Sequence, residues 1–173
     1  MNREIIEEKA KGLIDLSDYI DGEVNIIEVA RLLGFKIGNA SLLSDDDAFT
    51  VIDKSKSTIF DIRTNKLIGV NCKRSLAFKR FAIAREIGNY CLHYNSNINN
   101  GKYAHRLIKE KNNEKDADYF ASCLLMPDTD FISKYTELKD KISSEDLNFL
   151  LTKKFNVPNC AVENRINNIT LLV

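Results

Sequence analysis

Apolar residues over positions 3–20 recur at three- and four-residue spacing, the period of a helix with one buried face. A second such stretch, 25–33, has Asn25 placed to cap its start and Gly34 just past its end. The pattern then shortens. Residues 48–52, 57–62 and 66–71 are rich in β-branched and aromatic side chains, and the stretches Asp53-Lys54-Ser55-Lys56 and Thr64-Asn65 have turn composition. These three segments predict a small antiparallel meander, and the acidic run Asp45-Asp46-Asp47 before them reads as a solvated turn. Helical spacing returns over 75–94 and 115–125, the latter stopped by Pro127. The Asn-rich stretch 95–101 between them reads as a loop. Two further helices are expected at 144–155 and 159–168, joined by Asn156-Val157-Pro158, so that residues 144–173 form a tail resembling a helix-turn-helix. No repeat or linker divides the chain. The expectation is one domain over 1–173, of α+β class, with a small antiparallel sheet packed on helices and a helical C-terminal tail.

With 173 residues and 44% hydrophobic content the chain can bury a sizeable core, and 29% charged residues suit a soluble surface. Lys+Arg and Asp+Glu both number 25, so net charge gives no argument for nucleic acid or an anionic membrane as partner. No apolar run approaches the roughly 20 residues of a membrane span, and the first residues carry no signal-peptide core. A cytoplasmic location is expected. Cys72, Cys91, Cys123 and Cys160 are far apart and form no C-x-x-C pair, which favours reduced core thiols over disulfides or a zinc ribbon.

The chemistry centres on residues 80–90, R-F-A-I-A-R-E-I-G-N-Y. In zinc peptidases the segment H-E-x-x-H sets two imidazoles one helical turn apart, with the Glu as general base. Here the matching core is Arg85-Glu86-Ile87-Gly88-Asn89. The Glu stands, and neither histidine does. A second block, 114–127, reads E-K-D-A-D-Y-F-A-S-C-L-L-M-P, and a third covers L-T-K-K-F-N-V at 151–157, followed by Ala161-Val162 and Asn164-Arg165.

In this order the three blocks resemble the ImmA/IrrE family of metallopeptidase-like proteins, whose usual patterns are R-F-T-x-A-H-E-x-G-H and E-x-x-A-N-x-F-A-x-x-L-L-M-P. The resemblance implies a zincin-like core. It also implies that the zinc ligand slots fall at Arg85, Asn89 and Glu114 and the base slot at Glu86. Arginine stays protonated and has no lone pair for a cation; asparagine offers a carbonyl oxygen, a poor zinc ligand beside imidazole. The site is therefore read as degenerate, with no metal and no cofactor, Glu86 a vestigial general base, and Arg85 expected to pair with Glu114. His93, one turn after Asn89 on one side of the helix, suggests with Asn89 and Glu114 or Asp116 a weak alternative metal site; a packing role is favoured. His105 is expected to be exposed, and Cys91 and Cys123 to be buried rather than nucleophilic.

The leading functional expectation is a catalytically inactive, metallopeptidase-like regulator that acts by binding a protein. Since the resemblance implies action on helix-turn-helix repressors of mobile elements, such a repressor is the expected partner class. Two alternatives stand beside it: an enzyme, either a peptidase with an atypical metal site or another hydrolase built on Glu86, and a DNA-binding module formed by the tail. The tail's mixed charges, Lys153, Lys154 and Arg165 against Glu145, Asp146 and Glu163, weaken the last.

Overall fold

The computed structural model describes residues 1–17, 19–20, 22–42, 46–53, 58–59, 62–94, 102–104 and 111–170. Helix α1 (Arg3–Asp15) starts where the Asn2 side-chain oxygen accepts from the Glu4 N–H, and it buries Ile6 and Ala10. It ends earlier than the sequence pattern suggests. Ser17 donates its hydroxyl to the Ile14 carbonyl, and a two-stranded hairpin follows, β1 (Tyr19–Ile20) with β2 (Glu23–Val24). Helix α2 (Ile26–Leu32) is capped by Asn25 as expected, and Gly34 takes the left-handed conformation just beyond it, with φ of 81°.

The chain then forms β3 (Lys36–Ala40) and β4 (Ala48–Asp53), the short hairpin β5 (Thr58–Ile59) and β6 (Ile62–Arg63), and β7 (Lys66–Asn71). Strand β4 pairs antiparallel with β7 directly, where the meander would set the 57–62 segment between them. Among the described residues the middle segment does not join them, and β5 and β6 pair with each other. Instead β3 adds to β7 in parallel and β8 (Lys102–Ala104) adds to the far side of β4, giving a mixed sheet of order β3-β7-β4-β8. The central β7 explains this: Leu67 through Asn71 are all buried, so this strand has neighbours on both edges and packing on both faces.

Helix α3 (Leu76–His93) lies on β4 and β7 and packs most extensively on α4 (Lys111–Leu125), which also carries α1. The two helices touch at Gly88. A Cβ there would stand 2.9 Å from Cδ1 of Phe120 and 3.2 Å from the Ala117 carbonyl oxygen, so only glycine permits this approach. Arg80, on the buried face of α3, joins three parts of the chain. Its guanidinium donates to the carbonyls of Val24 (3.1 Å) and Asn156 (3.2 Å) and pairs with Glu23 at 3.0 Å.

Pro127 ends α4, and α5 (Asp128–Leu138) follows directly. Then come α6 (Ser144–Phe155) and α7 (Asn159–Thr170). Asn156 closes α6 in the left-handed region (φ 51°). Arg165 of α7 is 2% exposed and donates to the Met126 carbonyl, the Cys123 sulfur and the Asp128 carboxylate, fastening α7 to the α4–α5 corner. The class is α+β with a helical C-terminal region. No helix among the described residues is long and apolar enough to cross a membrane.

Candidate functional site

The α3 register dictates the site. Ile83 and Ile87 seat the helix in the core, while Arg85 and Glu86 come out at its partly buried edge. Glu86 faces the sheet, where the Thr50 hydroxyl of β4 donates to its Oε2 at 2.6 Å. Burial raises the Glu86 pKa above the usual carboxylate range. The Thr50 hydrogen bond and the Arg85 charge act against that shift, and Asp46 adds to it. A carboxyl of this kind holds its proton more tightly than a solvated one.

Arg85 points the other way, into a group of ions. Its Nε lies 2.6 Å from Oδ1 of Asp118 on α4, and its Nη1 lies 3.9 Å from Oδ2 of Asp47, which meets Arg74 at 2.6 Å on its other oxygen. The Arg85 Nε–H is not aligned on the Asp118 carboxylate, so this contact is a charge pair more than a directed hydrogen bond. Desolvation raises the Asp118 pKa, Arg85 lowers it and Glu114 raises it again; with 50% of that side chain exposed, the desolvation is partial.

The expected Arg85–Glu114 pair is therefore replaced by Arg85–Asp118. Because α3 and α4 meet at Gly88 against Ala117 and Phe120, position 85 falls opposite position 118, one helical turn beyond Glu114. Nor are Asp46 and Asp47 a solvated turn. The side chain of Asn71 donates to the Asp46 carbonyl and its backbone N–H to the Asp47 carbonyl, and the Asp47 side chain joins the ion group.

Asn89 is buried on α3 (9% exposed), and Glu114 sits part-buried in the first turn of α4. As a zinc donor set, Arg85, Asn89 and Glu114 do not fit. The first is a cation already neutralised by two carboxylates, the second is an amide, and only the third is a good ligand. His93 Nε2 lies 3.9 Å from Oδ2 of Asp116, and no cluster of three His, Cys, Asp or Glu side chains suited to a metal occurs among the described residues. His105 and the stretch 95–101, expected as a loop, lie outside the described residues. Burial pushes the Cys91 and Cys123 thiols up to about 11, which suits packing rather than nucleophilic roles. Cys72 and Cys160 are exposed and Cys91 is half-buried, so of the four free thiols expected in the core only Cys123 is fully inside it.

The profile described as the IrrE N-terminal-like domain, peptidase family M78, matches residues 46–167. The chain belongs to this family. The matched region of the IrrE N-terminal-like domain runs from the acidic segment before β4 into α7, so α1, the first hairpin, α2 and β3 lie outside it. Comparison with curated proteins gives no significant match. Within the IrrE N-terminal-like domain, the residues that sequence reasoning passed over are Thr50, Asp47 and Asp118. Only Asp118 left a sequence trace: it follows Glu114 by four residues and stands where the E-x-x-A-N-x-F-A pattern has asparagine.

Proposed function

We propose that this IrrE-like domain is a non-catalytic relative of the metallopeptidases that regulates by binding a protein, antagonising a helix-turn-helix repressor of a mobile element without cleaving it. The observation that carries this reading is the Arg85 guanidinium, which stands at a position the resemblance assigns to a metal ligand and is paired with Asp118 and Asp47. A fixed cation in that slot repels a divalent ion, and ordinary zinc proteolysis needs the metal to activate water. The positions assigned to the degenerate site are Arg85, Asn89 and Glu114, with Glu86 as a vestigial base. The domain acts in the cytoplasm as a single unit over 1–173, and its 144–173 tail serves packing or protein contact.

The raised Glu86 pKa favours a second reading, a hydrolase that uses this carboxyl as acid and base with an atypical metal or none. Two measurements on the purified full chain separate the readings. Elemental analysis after incubation with excess zinc is expected to find far less than one zinc per chain; about one per chain, lost in Glu114→Ala, would overturn the non-catalytic reading. A pull-down with mass spectrometry is expected to recover a repressor at full length with wild type and Glu86→Gln alike. Cleavage by wild type alone would establish the hydrolase.

A further inference from the structure

On the far side of Arg85 from Glu86, the N-terminal half of α3, the exposed edge of α4 and α7 enclose a cleft of about 640 Å³. That is the size of a ligand site. Thr50, Glu86, Asn89 and Glu114 do not line it, so it lies apart from the vestigial base and shares only Arg85 with the degenerate-site positions.

Its chemistry narrows the occupant. The charges on its wall nearly balance, the Met1 amine, Arg3, Arg85 and Lys115 against Asp47, Asp116 and Asp118, which disfavours a polyanion or a polycation. Phe78, 42% exposed, gives one wall an apolar face at the mouth. Asn164 and Asn168 of α7 project into the same cleft. Four helical residues rise about 6 Å, close to the roughly 6.6 Å between alternate residues of an extended chain. Each amide carries a donor and an acceptor, the complement of a backbone peptide group. Arg3, lying over the Tyr119 ring at 5.0 Å, donates to Oδ1 of Asn168 at 3.1 Å, which fixes that amide and turns its NH₂ away from Arg3.

We propose that this cleft binds an extended, near-neutral peptide segment of the protein partner, with Asn164 and Asn168 reading its backbone and Phe78 packing on one of its apolar side chains. The proposal rests on the protein-binding reading above and adds where and in what form the partner is held.

The test pans a phage-displayed random heptapeptide library on the full chain. Enriched sequences, made with acetylated and amidated ends, are titrated by fluorescence anisotropy against wild type, Asn164→Ala, Phe78→Ala and, as a remote control, Phe149→Ala. Asn164 is exposed, so its variant is expected to melt as wild type does. The expected result is an affinity loss of about tenfold in Asn164→Ala, the size of one or two hydrogen bonds, a comparable loss in Phe78→Ala, and none in Phe149→Ala. Failure to enrich any peptide over the bare support would overturn the proposal. So would enriched peptides that bind Asn164→Ala and Phe78→Ala as tightly as wild type, or binding of cellohexaose in place of peptide. These outcomes are independent of zinc content, so they reject the cleft without rejecting the non-catalytic reading, and a zinc-loaded protein would do the reverse.

Discussion

Removing the Arg85–Asp118 contact should cost stability, by less than a fully buried ion pair would. Two unit charges this close attract by about 4 kcal/mol at the effective dielectric near a protein surface. Against that, the Arg85 side chain is 31% exposed and that of Asp118 50%, so water screens both, and the Nε–H is poorly aligned. Exposed pairs are worth about 0.2–1 kcal/mol, whereas breaking a buried one costs about 3–5 kcal/mol. The geometry here places the coupling near the top of the exposed range, at about 1 kcal/mol. Arg85→Ala alone should cost about 1–2 kcal/mol, since it also leaves Asp47 and Asp118 without this cation. The assay is urea unfolding of wild type, Arg85→Ala, Asp118→Ala and the double variant, repeated in about 1 M salt, where the Debye length shrinks to about 3 Å and the coupling should fall. A parallel cycle with Glu114→Ala should give a smaller coupling. The reasoning fails if the Arg85–Asp118 coupling is below about 0.3 kcal/mol, if salt leaves it unchanged, or if Glu114 couples more strongly.

Gly88→Ala should destabilise the fold by about 1–3 kcal/mol in the same unfolding assay, because the new methyl meets both the Phe120 ring and the Ala117 carbonyl, a backbone atom that cannot rotate away; a variant as stable as wild type would mean that α3 and α4 are not in this contact. Glu86 carries a pH signature of known sign. Its folded pKa lies above the ordinary 4.5, so the folded state holds the extra proton and stability falls as pH rises from about 4.5 through the raised value. Glu86→Gln, a neutral isostere able to accept from Thr50, should therefore gain on wild type toward neutral pH and lose that advantage as pH falls. Parallel stability curves from about pH 4.5 to about pH 8 would show that the carboxyl is solvated.

Local physics was enough to read much of this protein from its sequence. Asn25 and Gly34 bracket α2 because an amide side chain can cap an orphan N–H and glycine can adopt positive φ, and both are effects of neighbouring residues. The α3 motif announced its family and its missing histidines by residue identity alone. Strand β3, K-I-G-N-A, lacks a clear alternation and forms because β7 offers it an unpaired edge, a partner about thirty residues away. Helix α5 lay hidden behind Pro127, whose fixed φ ends α4 and, at the N-cap of α5, sacrifices no hydrogen bond there. The partner of Arg85 was likewise a tertiary matter. Sequence spacing offers Glu114 and Asp118 on one face of α4, a turn apart, and cannot choose between them. The choice falls to the close approach of two helices at Gly88, which sets their relative register and puts a carboxylate from α4 beside the guanidinium, where Asp47, just before β4, also reaches it.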